Sequence, residues 1–188
     1  MLIILNNDST TLPELVDSIE RLRAAYQIIR YDQPIKLDNY RGVILTGRRS
    51  ASDEINRANI KVIRQALMHH KPLLGICYGA EILALAMGGA LTKLGQKVYG
   101  HQTIYVSKPN RLTEPYLRLK VFESHAFNIS RLPKGFNTLG YSEKCENEII
   151  AQEDLMFYGV QFHPECSSDG LRILSNFMKI VGENAERF

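Results

Sequence analysis

Apolar and polar positions along the chain follow two rhythms, which change over near residue 90. In the first part, short unbroken apolar runs alternate with stretches whose apolar positions recur at helical spacing. Leu2 to Leu5 form the first run and predict a buried strand. Residues 11–25 follow as an amphipathic helix, with Leu12, Leu15, Val16, Ile19 and Leu22 on one face. Further strands are predicted over 26–31, 42–46 and 72–76. A helix over 51–70 has Ser52 as its N-cap and Ile55, Ala58, Val62, Ile63 and Ala66 inward. Another, over 80–87, stops at Gly88-Gly89. This alternation predicts a mostly parallel sheet with helices on both faces. Beyond residue 90 the pattern is strand-rich, with strands expected over 103–107, 117–122, 137–141, 148–152 and 156–162, then a closing helix over 168–180. No linker or repeat interrupts residues 1–188, which read as one domain.

Composition narrows the class without naming it. The 188 residues are 45% hydrophobic and 23% charged, the balance of a globular chain able to bury a core. A net charge of +3, with basic residues scattered apart from Arg48-Arg49, gives no case for nucleic acid. No segment reaches the ~18 apolar residues of a membrane span, and the N-terminus lacks the features of a signal peptide. Three cysteines, Cys77, Cys145 and Cys166, suit neither a disulfide framework nor a zinc site. Reduced thiols in a cytoplasm are the expectation, with no metal and no cofactor.

The candidate chemistry begins at Gly75-Ile76-Cys77-Tyr78-Gly79, which matches a nucleophile elbow with cysteine in place of serine. An apolar strand precedes it and a helix follows. The glycines leave room for a sharp turn, and the thiol then lies at a helix N-terminus, where partial positive charge favours thiolate. The backbone N–H of Tyr78 is placed to stabilise an oxyanion. An isolated cysteine ending a core strand is ordinarily a small buried hydrophobe. What changes the reading is Gly159-Val160-Gln161-Phe162-His163-Pro164-Glu165. There a strand delivers His163, and Glu165 follows two residues on, so both side chains point the same way. A histidine base oriented by a carboxylate is what a cysteine nucleophile needs.

Together these two motifs resemble those of the class I (triad) glutamine amidotransferases, and the resemblance extends over essentially the whole chain. It includes the N-terminal strand, the Gly-Val-Ile-Leu-Thr-Gly segment at 42–47 and the Leu-Ala-Met-Gly-Gly end of the helix after Cys77. The resemblance implies a flavodoxin-like α/β fold and attack by Cys77 on the side-chain amide of glutamine. It also implies that His163 protonates ammonia and that Glu165 orients His163. A separate synthetase subunit, most readily of ATP-pyrophosphatase type, would receive the ammonia. Ser142-Glu143-Lys144-Cys145-Glu146-Asn147-Glu148 and Phe122-Glu123-Ser124-His125 look like segments of stand-alone GMP synthase glutaminase subunits. Anthranilate synthase component II resembles the chain less, because its Pro-Gly-Pro-Gly-type loop is missing.

Two positions depart from the family pattern. The oxyanion loop reads Thr46-Gly47-Arg48-Arg49-Ser50, placing Gly47 beside the substrate and Arg48 where a backbone N–H is expected to bind the oxyanion. Arginine cannot adopt every conformation open to glycine, so the loop is expected to be misplaced until a partner docks, to contact an acidic partner, or to carry two solvated arginines. Glu81 stands where amidotransferases usually carry a substrate-holding glutamine, and gamma-glutamyl hydrolases resemble this chain in having glutamate there. Its alternative is an ordinary first-turn acid stabilised by the helix dipole. Three functions therefore compete: an ammonia-supplying subunit, a free-standing gamma-glutamyl hydrolase, and a non-catalytic regulator. His69 and His70 read as structural, His101 and His125 stay open between site, partner and packing roles, and Cys145 and Cys166 read as packing cysteines.

Overall fold

The computed structural model describes residues 1–185. Among these residues nine strands form a single sheet: β1 (Leu2–Asn7), β2 (Tyr26–Arg30), β3 (Gly42–Arg48), β4 (Leu73–Ile76), β5 (Ala90–Val106), β6 (Arg118–Arg131), β7 (Asn137–Tyr141), β8 (Ile149–Gln152) and β9 (Phe157–Val160). Their spatial order is β2-β1-β3-β4-β9-β8-β7-β5-β6. Pairing is parallel from β2 through β9 and antiparallel from β9 to β6. The parallel half is the flavodoxin-like part, and the antiparallel half is the strand-rich addition.

Four α-helices among the described residues cover the sheet: α1 (Leu12–Arg21), α2 (Asp53–Met68), α3 (Tyr78–Ala86) and α4 (Ser168–Ala185). Alternation along the strands divides the core into two layers. Leu2, Ile4 and Ile44 pack with Leu15 and Ile19 of α1 and Ile173, Leu174 and Phe177 of α4. Ile3, Leu5, Val43 and Leu45 pack with Ile55, Val62 and Ile63 of α2 and Ile82 and Leu83 of α3. Each such side chain contributes roughly 1.5–3 kcal/mol on leaving water. Ser52 caps α2 as expected, its hydroxyl accepting from the N–H of Glu54 and Ile55.

Several boundaries differ from the sequence expectation. The first helix ends at Arg21 because Arg23 turns left-handed, with φ 54°. α3 starts at Tyr78, directly on the elbow, rather than at residue 80. The largest difference is the β5–β6 hairpin, whose strands of 17 and 14 residues replace two short expected strands. Much of β5 is solvated on both faces, so it carries no apolar alternation for a pattern to detect. The hairpin also contains a register shift between Lys93 and Val98.

This topology decides where the site lies. The carboxyl ends of β1, β3, β4 and β9 open on one edge of the sheet, and the order reverses beside β1. That edge is where open α/β sheets place their ligands.

Candidate active site

Cys77 occupies the turn between β4 and α3 with φ 51° and ψ −108°. A non-glycine residue in that region is strained, and the surroundings hold it there. Its N–H donates to Val160 O at 2.8 Å, while its carbonyl accepts from the N–H of Ala80 and Glu81. A Cβ at Gly75 would lie 2.4 Å from Gly79 O, and one at Gly79 would lie 2.2 Å from Leu45 O. The glycines flanking the cysteine are therefore steric requirements of the turn. The Tyr78 N–H, first in α3, belongs to the helical turn that lacks intrahelical acceptors.

His163 follows β9 and is fixed by its own N–H, which donates to Phe122 O of β6 at 2.8 Å. Its Nδ1 lies 2.9 Å from Glu165 Oε1, and the ring sits close enough to the Cys77 sulfur for the two groups to interact. A 3-10 turn over Pro164–Cys166 folds the carboxylate back toward the ring. Burial alone would lower the imidazole pKa, but the interactions of the protonated ring with Cys77 and Glu165 prevail and raise it to about 10. His163 is thus held as an imidazolium beside the sulfur, able to give a proton to a leaving group. The carboxylate has a further partner. Thr11, at the start of α1, donates its hydroxyl to Glu165 Oε1 at 2.5 Å.

The loop after β3 closes the other side. The N–H and side-chain amide of Asn7 bond to Thr46 Oγ1 and Thr46 O at 3.0 and 2.9 Å, and Asn59 of α2 bonds to Asn7. A Cβ at Gly47 would stand 3.2 Å from His163 Cε1 and 3.9 Å from Cys77 Cβ, so a side chain there would crowd the imidazole. Arg48 is not among the described non-glycine residues with left-handed φ, which are Asp8, Arg23, His70, Cys77 and Met156. Arginine therefore carries this backbone without strain. Its side chain is not freely solvated either: Cζ lies 3.9 Å over the Tyr78 ring, and Nη1 donates to Asn56 Oδ1 at 3.0 Å.

A cleft of about 430 Å³ opens beside Cys77, lined also by Arg48, Arg49, Tyr78, Glu81, Lys97, Ser124 and His125. Glu81 is buried and accepts from Gln161 Nε2 at 3.1 Å. Burial raises its pKa, opposed by the Gln161 bond and by the charges of His125 and Arg48. It is a first-turn acid of α3 and a cleft residue at once. Ser124 presents its carbonyl oxygen 3.9 Å from Cys77 Sγ.

His125 belongs to a buried cluster behind that wall. Its Nδ1 lies 2.7 Å from Phe127 O and its Nε2 3.0 Å from Glu123 Oε2, while Ser142 donates to Glu148 Oε1 at 2.6 Å. His125, Cys145 and Glu148 bring potential ligand atoms within 4.8 Å of one another. Both nitrogens of His125 are already engaged, however, and burial with the nearby carboxylates pushes the Cys145 thiol up to about 12. The donor set shares protons rather than offering an open coordination site. His101 packs against the Phe122 ring, beside Gln102, Thr103 and Glu143. His69 pairs with Asp38 at the surface. The cysteines are all free, and no described helix is long and apolar enough to cross a membrane.

The model of the family "Glutamine amidotransferase class-I" matches residues 3–181. The chain belongs to that family. Among similar amidotransferases, a GMP synthase (glutamine-hydrolyzing) subunit from Methanococcus aeolicus is 32% identical, with 97% of this chain and 98% of the relative covered. Its counterpart from Methanocaldococcus jannaschii is 31% identical over 99% of this chain and 100% of the relative. The crystal structure of a GMP synthase subunit from Thermoplasma acidophilum superposes with a TM-score of 0.89 at 25% identity, covering 99% of this chain and 96% of that one. An amidotransferase from Thermotoga maritima, at 22% identity and a TM-score of 0.74, has the same fold; 99% of this chain and 83% of that one are covered.

Proposed function

We propose that this amidotransferase hydrolyses the side-chain amide of glutamine through a Cys77 thioester and supplies the ammonia to the separate synthetase subunit of a GMP synthase. The observation that carries the reading is His163, held between the Cys77 sulfur and Glu165 at the carboxyl edge of the sheet. The full-length likeness to glutamine-hydrolyzing GMP synthase subunits supports the choice of acceptor enzyme. A synthetase of ATP-pyrophosphatase type is the partner we assign.

In this mechanism the Cys77 sulfur attacks the amide carbon, and the carbonyl electrons move onto oxygen. Backbone N–H groups of Tyr78 and Arg48 receive that oxyanion. Its collapse breaks the C–N bond as His163 gives the nitrogen its proton, leaving a thioester and ammonia. Neutral His163 then takes a proton from water, whose oxygen attacks the thioester. Glutamate departs, and the sulfur and the imidazolium are restored. Glu165 keeps the ring oriented throughout. Gly47 leaves space beside the imidazole, and Glu81 faces the substrate's α-ammonium.

Glu81 also favours a second reading, hydrolysis of a gamma-glutamyl amide other than glutamine. One experiment separates the two. The chain and its co-expressed synthetase are assayed for glutamine-dependent GMP formation, with Cys77→Ser and external ammonium as controls. Glutamine-dependent synthesis that Cys77→Ser abolishes and ammonium restores is the expected result. Turnover confined to gamma-glutamyl peptides would select the hydrolase.

A further inference from the structure

The cleft beside Cys77 contains opposite charges, both held in place. Glu81 is fixed by burial and by Gln161. Arg48 is fixed as well, although it leads into a loop. One face of its guanidinium covers the Tyr78 ring, one donor is held by Asn56 Oδ1, and Asn56 in turn accepts the Tyr78 hydroxyl at 2.8 Å. The three residues come from β3, α2 and α3, so the arginine is clamped by two helices. A guanidinium has five N–H donors in a rigid fork, and the Asn56 bond uses one of them. The remaining edge suits a planar carboxylate, which guanidinium binds through paired hydrogen bonds.

We propose that the Arg48 side chain recognises the substrate's α-carboxylate while Glu81 takes its α-ammonium, so that the cleft selects a free α-amino acid headgroup. The inference rests on glutamine being the substrate. With the amide carbon at the Cys77 sulfur, the α-carbon of glutamine is three carbon–carbon bonds away, and its two charged groups extend toward the lining that bears Arg48 and Glu81. The arginine that departs from the family's glycine-rich loop is then a specificity device carried by the side chain, independent of the backbone N–H beside the oxyanion. Arg49 and Lys97 line the same cleft, and Lys97 Nζ lies 5.4 Å from the centre of the Tyr99 ring, whereas Arg48 is held by a closer ring contact and a hydrogen bond together.

The test compares glutamine with glutamine methyl ester, in which the α-carboxylate is capped. The wild-type protein should prefer glutamine in kcat/KM by about 10- to 100-fold, the range of a charge-assisted bidentate contact. Arg48→Gln should bring that ratio close to one. Arg48→Lys, which keeps the charge and loses the fork, should fall between. Alkylation of Cys77 by iodoacetamide reports whether the elbow is intact in each variant. Equal ratios in wild type and Arg48→Gln would overturn the proposal. If the wild type hydrolyses neither compound, with or without the synthetase, the proposed function fails first. Calorimetric binding of glutamine to Cys77→Ala then decides the inference. Binding that Arg48→Gln weakens at least about tenfold supports it, and binding that is absent or unchanged overturns it.

Discussion

Thr11 and Glu165 lie 154 positions apart, yet the Thr11 hydroxyl donates to the carboxylate oxygen that also faces His163. Thr11 is the N-cap of α1, and its side chain makes no cap hydrogen bond to that helix. The hydroxyl is directed at the site instead. Thr11→Val removes a hydrogen bond to a charged group, an effect of about 1.5–3 kcal/mol, so kcat/KM for glutamine should fall ~10- to 100-fold. Because the substitution loosens the carboxylate that sustains the imidazolium, the alkaline limb of the pH–rate profile should also move below its expected position near 10. Thr11→Ser should restore both. A purely structural Thr11 would lower protein yield or Tm without moving the limb.

A second prediction concerns pH and stability. Burial and the neighbouring Glu123 charge raise Glu148 to about 8. Burial opposes the charged form of His125, but Glu123 and the Phe127 carbonyl outweigh it and raise its pKa. Between the ordinary carboxylate value and about 8, the folded chain holds a Glu148 proton that the unfolded chain has lost, so stability falls as pH rises. For His125 the stabilisation is complete below its unfolded pKa and is lost as pH rises through the folded one. Both groups act in the same direction. Melting temperature should therefore decline from about pH 5 to about pH 8, and Glu148→Gln should flatten the decline. Parallel melting curves for the two proteins would refute the assignment.

The elbow gives a steric prediction. A methyl group at Gly79 meets Leu45 O at 2.2 Å, and one at Gly75 meets Gly79 O at 2.4 Å, whereas one at Gly95 meets nothing within 4 Å. Gly75→Ala and Gly79→Ala should each cost ~1–3 kcal/mol or more in urea unfolding. Gly95→Ala, which adds its methyl into open space on a backbone without positive φ, should stay within about 0.5 kcal/mol.

Glu81→Gln tests the second charge of the cleft. A carboxylate only accepts hydrogen bonds, while an amide also donates. The variant should raise the Michaelis constant for glutamine more than it changes turnover, the pattern of a ground-state contact. Steady-state kinetics on glutamine and on a gamma-glutamyl peptide, with the synthetase present, provide the measurement. Unchanged constants on both substrates would reduce Glu81 to a helix-turn acid.

The parallel half of the fold was legible because β1, β3, β4 and β9 are buried on both faces and α1 and α2 carry one apolar stripe. Cys77, His163 and Glu165 were legible because the residues flanking them have a local steric or directional reason to be there. The length of the β5–β6 hairpin was not, since much of β5 is wet on both faces and the buried face of β6 is interrupted by Glu123 and His125, so neither strand shows a full apolar alternation. Thr11 was hidden for another reason: a threonine before a helix already has an ordinary explanation as a cap. Gln161 and Asn56 act by contacts made only after distant elements meet. Arg48 was visible as an anomaly, but its stacking on Tyr78 depends on where α2 and α3 come to rest.

β9 pairs with β4 on one side and β8 on the other. The strand that brings the base is thus the seam between the parallel and antiparallel halves of the sheet. Until residues 157–160 insert, β4 has an open edge and Cys77 has no imidazole beside it. Pairings of such long sequence separation carry a chain-closure cost that must be met before their contacts reward it. A nascent or partly unfolded chain would therefore hold the cysteine without the machinery that makes it reactive toward an amide. Under the proposed function, hydrolytic competence is in this way tied to completion of the sheet.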